Sequence, residues 1–174
     1  MEILILGVIL IPLLTSLFLK VTSKFLNELL TNFVTLNAAM LSVGVSFFLF
    51  GYIFLDKFKP LKFELFEWFP NPEIIFEFYL DGLSAVMMVL ICGLSLVIQI
   101  FSTSYMSKDE KYTKYFEYFN FFVFSMLLLV LSGNFLVMFF GWELVGLSSY
   151  LFISFWSEKK SASKAGNKAF ILNR

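Results

Sequence analysis

Glu143 is the residue whose type and position most clearly suggest chemistry. It is the only residue with a formal charge between Tyr118 and Ser157, and most residues around it are apolar. If Asn134 begins a helix, the carboxyl group of Glu143 lies about 14 Å along it, near the middle of a hydrocarbon core roughly 30 Å thick. A charge at that depth costs roughly 2.5–3.5 kcal/mol on insertion scales, so we expect the side chain to face protein or water.

Two roles are compatible with a carboxyl group at this depth. A protonated glutamic acid can hydrogen-bond a neighbouring helix and act only as a structural contact. Alternatively, the group can relay protons, because burial favours its protonated form and a nearby cation favours its ionised form. Gly141 and Gly146 flank the acid, and glycine lets a second backbone or water approach a helix closely. This arrangement favours the proton relay.

The composition of the chain indicates an integral membrane protein. Apolar residues make up 59% of its 174 residues, against roughly 45–50% in soluble proteins, and they form long uncharged runs. There is no His and only one Cys, Cys92, so the usual ligands of haem, zinc and iron–sulfur sites are missing. We therefore predict no metal or redox centre in this chain and a buried structural role for Cys92. The 13 basic and 13 acidic residues balance, so the chain lacks the excess of positive charge that is typical of nucleic-acid-binding proteins.

The uncharged runs predict an all-α membrane fold with five complete spans and the start of a sixth, in a single domain over residues 1–174. The run after Tyr118 must be divided, because as one helix it would be about 60 Å long. Ser132–Asn134 supplies the turn signal at which we divide it. The predicted spans are Ile3–Leu19, Leu29–Leu55, Gly82–Ser107, about Tyr112–Leu131 and Asn134 to about Trp156, followed by the start of a helix at Lys159–Arg174.

The segment Asp56–Asp81 is the one sizeable polar stretch, and it predicts a β-hairpin on the membrane surface between helices two and three. Apolar and polar residues alternate over Leu61–Leu65, as in a half-covered strand. Pro70–Pro72 suits a turn, and Glu73–Tyr79 suits the returning strand. An irregular loop with aromatic anchors is the alternative interpretation.

The basic residues of the short loops predict the orientation of the chain. One side of the membrane collects most of them and is expected to be the cytoplasm or matrix, namely Lys20, Lys24, Lys108, Lys111, Lys114, Lys159, Lys160 and Lys164. The hairpin and the N-terminus then lie on the opposite side. In the last segment, small residues recur every four positions as a stripe for close helix packing, namely Ser161, Ala165 and Ala169.

Four stretches together resemble one protein family, the antiporter-like membrane subunits of proton-pumping NADH:ubiquinone oxidoreductase (respiratory complex I). Within that family the chain is most similar to subunit 5. The resemblance covers nearly the whole chain, and Gly141-Trp142-Glu143 is its most specific element. The four stretches are Phe78–Ser84, Phe140–Gly146, Ser149–Phe155 and Lys168–Arg174.

The resemblance implies that the chain is part of an enzyme, the proton-translocating NADH:ubiquinone reductase, and belongs to its membrane arm. It places Glu143 at the family's proton-translocation glutamate, and Lys168 and Arg174 at two cations of helix six. For those two cations, snorkelling to the membrane surface is the alternative role. NADH, FMN, iron–sulfur clusters and ubiquinone are expected in other subunits, with no cofactor in this chain.

The resemblance also implies partners and a location. The expected partners are the other membrane-arm subunits and membrane lipids. The Phe-rich composition is typical of mitochondrially encoded proteins, so we predict the mitochondrial inner membrane, with the N-terminus and hairpin on the intermembrane-space side. The bacterial inner membrane is the alternative.

One departure from the family pattern concerns the remainder of the subunit. Family members continue for several hundred residues past the Asn173-Arg174 element and carry a partner lysine on a broken helix. We therefore expect a second polypeptide that completes helix six and supplies this lysine, with a truncated chain as the alternative. Two other functions stay open: a subunit of a multisubunit cation/proton antiporter, or a structural membrane fragment that does not pump.

Overall fold

The computed structural model describes residues 1–57, 59–70 and 73–173. Its elements confirm the predicted fold, with six helices and a two-stranded antiparallel hairpin between the second and third helices. In chain order they are α1 (Glu2–Thr22), α2 (Glu28–Leu55), β1 (Leu61–Pro70), β2 (Glu73–Leu80), α3 (Gly82–Tyr105), α4 (Tyr112–Val130), α5 (Phe135–Ile153) and α6 (Lys160–Leu172).

Within the described residues, four helices are long and apolar enough to cross a membrane: α1, α2, α3 and α5. Helix α4 is as long as α5, with 19 residues each, but it carries Lys114 and Glu117 near its start. It is therefore not among these four helices. It packs between α1 and α5, which are both of spanning character. We therefore treat α4 as the fourth of five spans, as the sequence predicted.

Three helices begin at side chains that accept a hydrogen bond from the first turn. Asn27 caps α2 and Asn134 caps α5. At α3 the Asp81 carboxylate accepts from the Ser84 N–H at 2.8 Å, and the Ser84 hydroxyl accepts from the Asp81 N–H at 2.7 Å. This reciprocal pair is a capping box. The Leu-Asp-Gly-Leu-Ser stretch therefore has a structural role as a helix start.

The hairpin is attached to the connection between α4 and α5. The N–H of Tyr79 donates to the carbonyl oxygen of Leu131 at 2.9 Å, and the N–H of Gly133 donates to that of Glu77 at 2.9 Å. A Cβ added at Gly133 would lie 2.6 Å from Cγ of Glu77, so only glycine allows this approach. Phe78 and Leu80, on the same strand, are buried in the main apolar core with Ile5. The hairpin prediction is confirmed, whereas the predicted turn at Pro70–Pro72 includes Asn71 and Pro72, which lie outside the described residues.

The opposite end of the bundle is joined by two polar contacts between loops. The Lys111 ammonium lies 2.6 Å from a carboxylate oxygen of Glu158, and the indole N–H of Trp156 donates to Asp109 at 3.0 Å. The hydrogen bond from Lys111 lowers the pKa of Glu158, and the same hydrogen bond raises the pKa of Lys111. These contacts hold the end of α5 beside the start of α4.

Candidate functional site

Glu143 lies in the middle of α5, as the ninth of its 19 residues. Glu143 is partly buried, and the other residues of this helix are uncharged. At ~1.5 Å per residue it is about 12 Å from the start of the helix, close to the depth expected from the sequence. The predicted helix start at Asn134 is confirmed, since its side chain caps α5 by accepting from the Val137 N–H at 3.0 Å.

One face of α5 packs closely on α4. A Cβ added at Gly141 would lie 2.8 Å from both Cα and N of Leu129, so the two backbones touch there. Ser148 is fully buried, and the ring of Phe152 packs edge-on against Phe119 with centroids 6.0 Å apart. At ~100° per residue Glu143 lies roughly 160° from Gly141, on the far side of the helix from α4.

The face of α5 that carries Glu143 is the face that packs on α6. Three contacts define it: Gly146 with the Asn173 side chain, Tyr150 with Phe170, and Ser154 with Gly166. The Tyr150 and Phe170 ring centroids are 5.5 Å apart. Glu143 lies within roughly 20° of Tyr150 and Ser154 around the helix, by the ~100° turn per residue.

The order of these contacts shows that α5 and α6 run antiparallel. The contacts run toward the C-terminus of α6, from Gly166 through Phe170 to Asn173, while their partners run toward the N-terminus of α5, from Ser154 to Gly146. Glu143 therefore lies about one helical turn beyond the contact between Gly146 and Asn173. The site is thus formed by the middle of α5 and the C-terminal end of α6.

Of the two predicted cations, the structure describes only Lys168. Lys168 is exposed and lies roughly 160° around α6 from Phe170, so it points away from α5 and from Glu143. Arg174 lies outside the described residues. The structure therefore places Lys168 apart from Glu143, and the roles of both cations stay predictions.

The two glycines beside Glu143 were predicted to allow close approach, but each has its own partner, which the sequence does not identify. Gly141 admits the backbone of α4, and Gly146 admits the side chain of Asn173. The capping box at Asp81 and Ser84 was not predicted, although the spacing Asp-x-x-Ser is a local signal for a helix start. Cys92 is buried, as predicted. Within the described part of the chain, no group of three or more acidic or thiol side chains could hold a metal ion.

Comparison with known families matches two parts of the chain. Residues 68–116 match the family described as NADH-Ubiquinone oxidoreductase (complex I), chain 5 N-terminus. Residues 132–174, which include Glu143, match the family described as NADH:quinone oxidoreductase/Mrp antiporter, TM.

Curated relatives extend the match to almost the whole chain. NADH-quinone oxidoreductase subunit L of Buchnera aphidicola is 37% identical over 170 residues, which is 96% of this chain and 28% of the relative. NADH-ubiquinone oxidoreductase chain 5 of Acanthamoeba castellanii is 36% identical over 168 residues, which is 95% of this chain and 25% of the relative. The chain thus spans about a quarter of the length of these relatives.

A solved structure shares the fold. A chain in the structure of the membrane-bound sulfane sulfur reductase, an archaeal respiratory membrane complex, matches with a TM-score of 0.84. The match covers 99% of this chain and 34% of the other at 17% sequence identity. At that identity the likeness extends to the fold alone.

Proposed function

The chain belongs to the family of subunit 5 of complex I, called subunit L in bacteria, and corresponds to its N-terminal part; from this premise we propose that Glu143 transfers protons within the membrane arm. The observation that carries the proposal is the position of Glu143 in the middle of α5, on the face that packs on α6. An ionisable side chain at that depth is a functional residue by default, and a face that meets another helix can offer it a partner.

The proposed chemistry is a change of protonation at the Glu143 carboxyl group. A cation that comes near stabilises the carboxylate and releases a proton, and its withdrawal favours uptake of a proton. The two glycines support this role from opposite sides of α5. Gly141 keeps α5 against the backbone of α4, and Gly146 keeps the end of α6 close to the acid. No electron transfer is required of this chain, and we propose that NADH, FMN, iron–sulfur clusters and ubiquinone are bound by other subunits.

The cation is proposed to come from the end of helix six or from a segment beyond it. Helix α6 ends beside Glu143, at the contact between Asn173 and Gly146. Arg174 follows directly, and the relatives are about four times as long as this chain. We propose that the partner lysine lies in the part of the subunit that follows helix six in these relatives, and that this part packs beside α5 and α6.

The location of the chain follows from the same premise. It is a multi-pass membrane protein. We propose the mitochondrial inner membrane, with the hairpin in the intermembrane space, and relatives from bacteria make the bacterial inner membrane the alternative.

The test of the proton role is Glu143→Gln in the assembled complex. Glutamine keeps the shape and the hydrogen-bonding capacity of the side chain but cannot titrate. We expect normal assembly with fewer protons moved per electron, measured in vesicles that oxidise NADH. Glu110→Gln, at an exposed loop position, is the matched control and should pump normally. Normal stoichiometry in an assembled Glu143→Gln complex would leave Glu143 a structural contact.

The test of the partner is cross-linking from the C-terminal end of α6. A photoreactive amino acid at Leu172, which is exposed on α6, should capture a peptide from the part of subunit 5 that follows helix six in the relatives. Mass spectrometry of the product identifies the captured peptide and shows whether it contains a lysine. Capture of lipid alone would contradict a segment docked beside α5 and α6.

A second candidate function is a subunit of a multisubunit cation/proton antiporter. It is supported by the description of the family that matches residues 132–174, which names the Mrp antiporter beside the quinone oxidoreductase. The two functions differ in what purifies with the chain. Flavin and iron–sulfur absorbance in the purified complex would favour complex I, and their absence together with sodium/proton exchange would favour the antiporter.

A further inference from the structure

A cavity of about 630 Å³ lies between α1, α4 and α5, outside the site described above. Its wall has two parts of different character. Lys20, Lys114 and Glu117 lie at one end, together with the hydroxyl of Ser23. The remaining wall is mostly apolar and includes Leu13, Leu17, Phe121 and Leu151.

The charged end of the cavity lies where α1 ends and α4 begins. Lys20 is in the last turn of α1, and Lys114 is in the first turn of α4. Both lysines are exposed and are on the side of the bundle to which the short-loop lysines were assigned. The apolar wall extends from there toward the middle of the spans, since Leu13 is about two helical turns before Lys20. The cavity therefore has a charged end and an apolar wall in the same arrangement as the headgroup and acyl chains of a lipid molecule.

The charges of the cavity are not balanced. Two ammonium groups face a single carboxyl group, and both lysines act electrostatically on Glu117. In the described part of the chain, neither lysine forms an ion pair with Glu117 within 4.0 Å. Lys114 instead lies over the ring of Tyr118, with its nitrogen 5.5 Å from the ring centroid. One positive charge remains for an anion, and the Lys114 ammonium is oriented by an aromatic ring that does not neutralise it.

We propose that this cavity binds an anionic glycerophospholipid. The phosphodiester group lies between Lys20 and Lys114, where its single negative charge makes the cavity neutral. One acyl chain covers the apolar wall from Leu17 to Leu13. Basic pockets between membrane helices on this side are suited to anionic headgroups. The cavity is lined by none of the α5 residues that contact α6, so the proposal stands independently of proton transfer.

The geometry favours a lipid over a soluble anion. A free phosphate would contact only the charged end and would leave the leucine wall open. Phosphatidylcholine, which is neutral, would cover that wall but would place a third cation, its choline group, beside the two ammonium groups. An anionic phospholipid satisfies both parts of the cavity, because its headgroup can lie at the lysines while its acyl chain lies along the leucine wall.

The test uses the assembled complex in nanodiscs of phosphatidylcholine with 20 mol% phosphatidylglycerol. After detergent extraction and washing, retained phosphatidylglycerol per complex is measured by mass spectrometry as a function of detergent concentration. Each of Lys20→Gln and Lys114→Gln should weaken retention about five-fold, and the double variant about 30-fold, because a basic residue near an anionic surface contributes roughly 1 kcal/mol. Lys108→Gln and Lys160→Gln, exposed lysines on the same side but outside the cavity, should leave retention unchanged.

A gain-of-binding variant separates this proposal from a general loss of structure. Glu117→Gln removes the opposing carboxylate, so retention of phosphatidylglycerol should increase several-fold. Equal retention in the Lys20→Gln/Lys114→Gln complex, or equal retention of phosphatidylcholine and phosphatidylglycerol in the unaltered complex, would overturn the site. A cryo-EM map with a polypeptide segment in the cavity would overturn it as well.

Discussion

The side-chain amide of Asn134 donates a hydrogen bond of 2.6 Å to the carbonyl oxygen of Ile75, in the second strand of the hairpin. The oxygen of the same amide accepts from the Val137 N–H and so caps α5. One side chain therefore starts the helix that carries Glu143 and attaches that start to the surface hairpin. Because the rise per residue of a helix is constant, this attachment also sets the distance of Glu143 from the hairpin end of the bundle.

The first prediction tests this double role of Asn134. Asn134→Ala should destabilise the subunit by about 2 kcal/mol, since it removes a helix cap and a second hydrogen bond of ~1 kcal/mol each. Asn27→Ala is the matched control, because Asn27 caps α2 through the Leu30 N–H alone. Its cost should be about half as large. Thermal denaturation of the purified complex compares the two variants, and equal shifts would show that the bond to Ile75 contributes nothing.

The second prediction concerns the contact between α5 and α4. Gly141→Ala should cost about 1–3 kcal/mol, because the new methyl group meets the backbone of Leu129 and the helices must separate. The shift should also reduce proton pumping, since Glu143 is two residues away. Gly93→Ala is the control: it lies within a span, and nothing is within 4 Å of its added Cβ. Normal stability and pumping in Gly141→Ala would contradict the close backbone contact.

The third prediction concerns topology. A cysteine at Glu67, exposed in the hairpin, and a cysteine at Lys108, exposed after α3, should react with impermeant maleimide from opposite sides of the membrane. Cys92 is buried and should react from neither side, so it needs no replacement. Labelling of both new cysteines from the same side would contradict a membrane crossing by α3.

The fourth prediction concerns the pH dependence of the loop contact between Lys111 and Glu158. The pKa of Glu158 is lower in the folded protein than its ordinary value, so this contact stabilises the loops above that value. It is lost as the pH falls through the lowered pKa. At the alkaline end, the raised pKa of Lys111 keeps the contact until the pH passes through that raised value.

Amide hydrogen exchange over residues 154–160, corrected for the intrinsic effect of pH, measures this contact. Protection should decrease on acidification in the unaltered chain, and Glu158→Gln should show low protection at every pH below the lysine range. The bond between Trp156 and Asp109 remains in that variant, so the loop should not unfold completely. The same acid dependence in both chains would assign the effect to another group.

The membrane class, the apolar helices and the position of Glu143 along α5 could be read from the sequence for a local reason. A span is defined by the length of an uncharged run, and depth along a helix by a constant rise, so neither requires knowledge of a neighbour. Capping residues such as Asn134 act on their own first turn and mark where helices begin. The hairpin was also readable, because alternation of apolar and polar residues is a local pattern.

Only the tertiary structure decided which residues meet. Helix α5 is apolar on nearly all sides, so its sequence has no polar stripe that shows which face turns to α4 and which to α6. Packing resolved this through Gly141 and Gly146, and it turned Lys168 away from Glu143. Packing also placed Lys20 and Lys114 in the wall of one cavity, although they are 94 positions apart in the chain. Contacts of this kind depend on the side chains of two helices at once, and the sequence of either helix alone does not contain them.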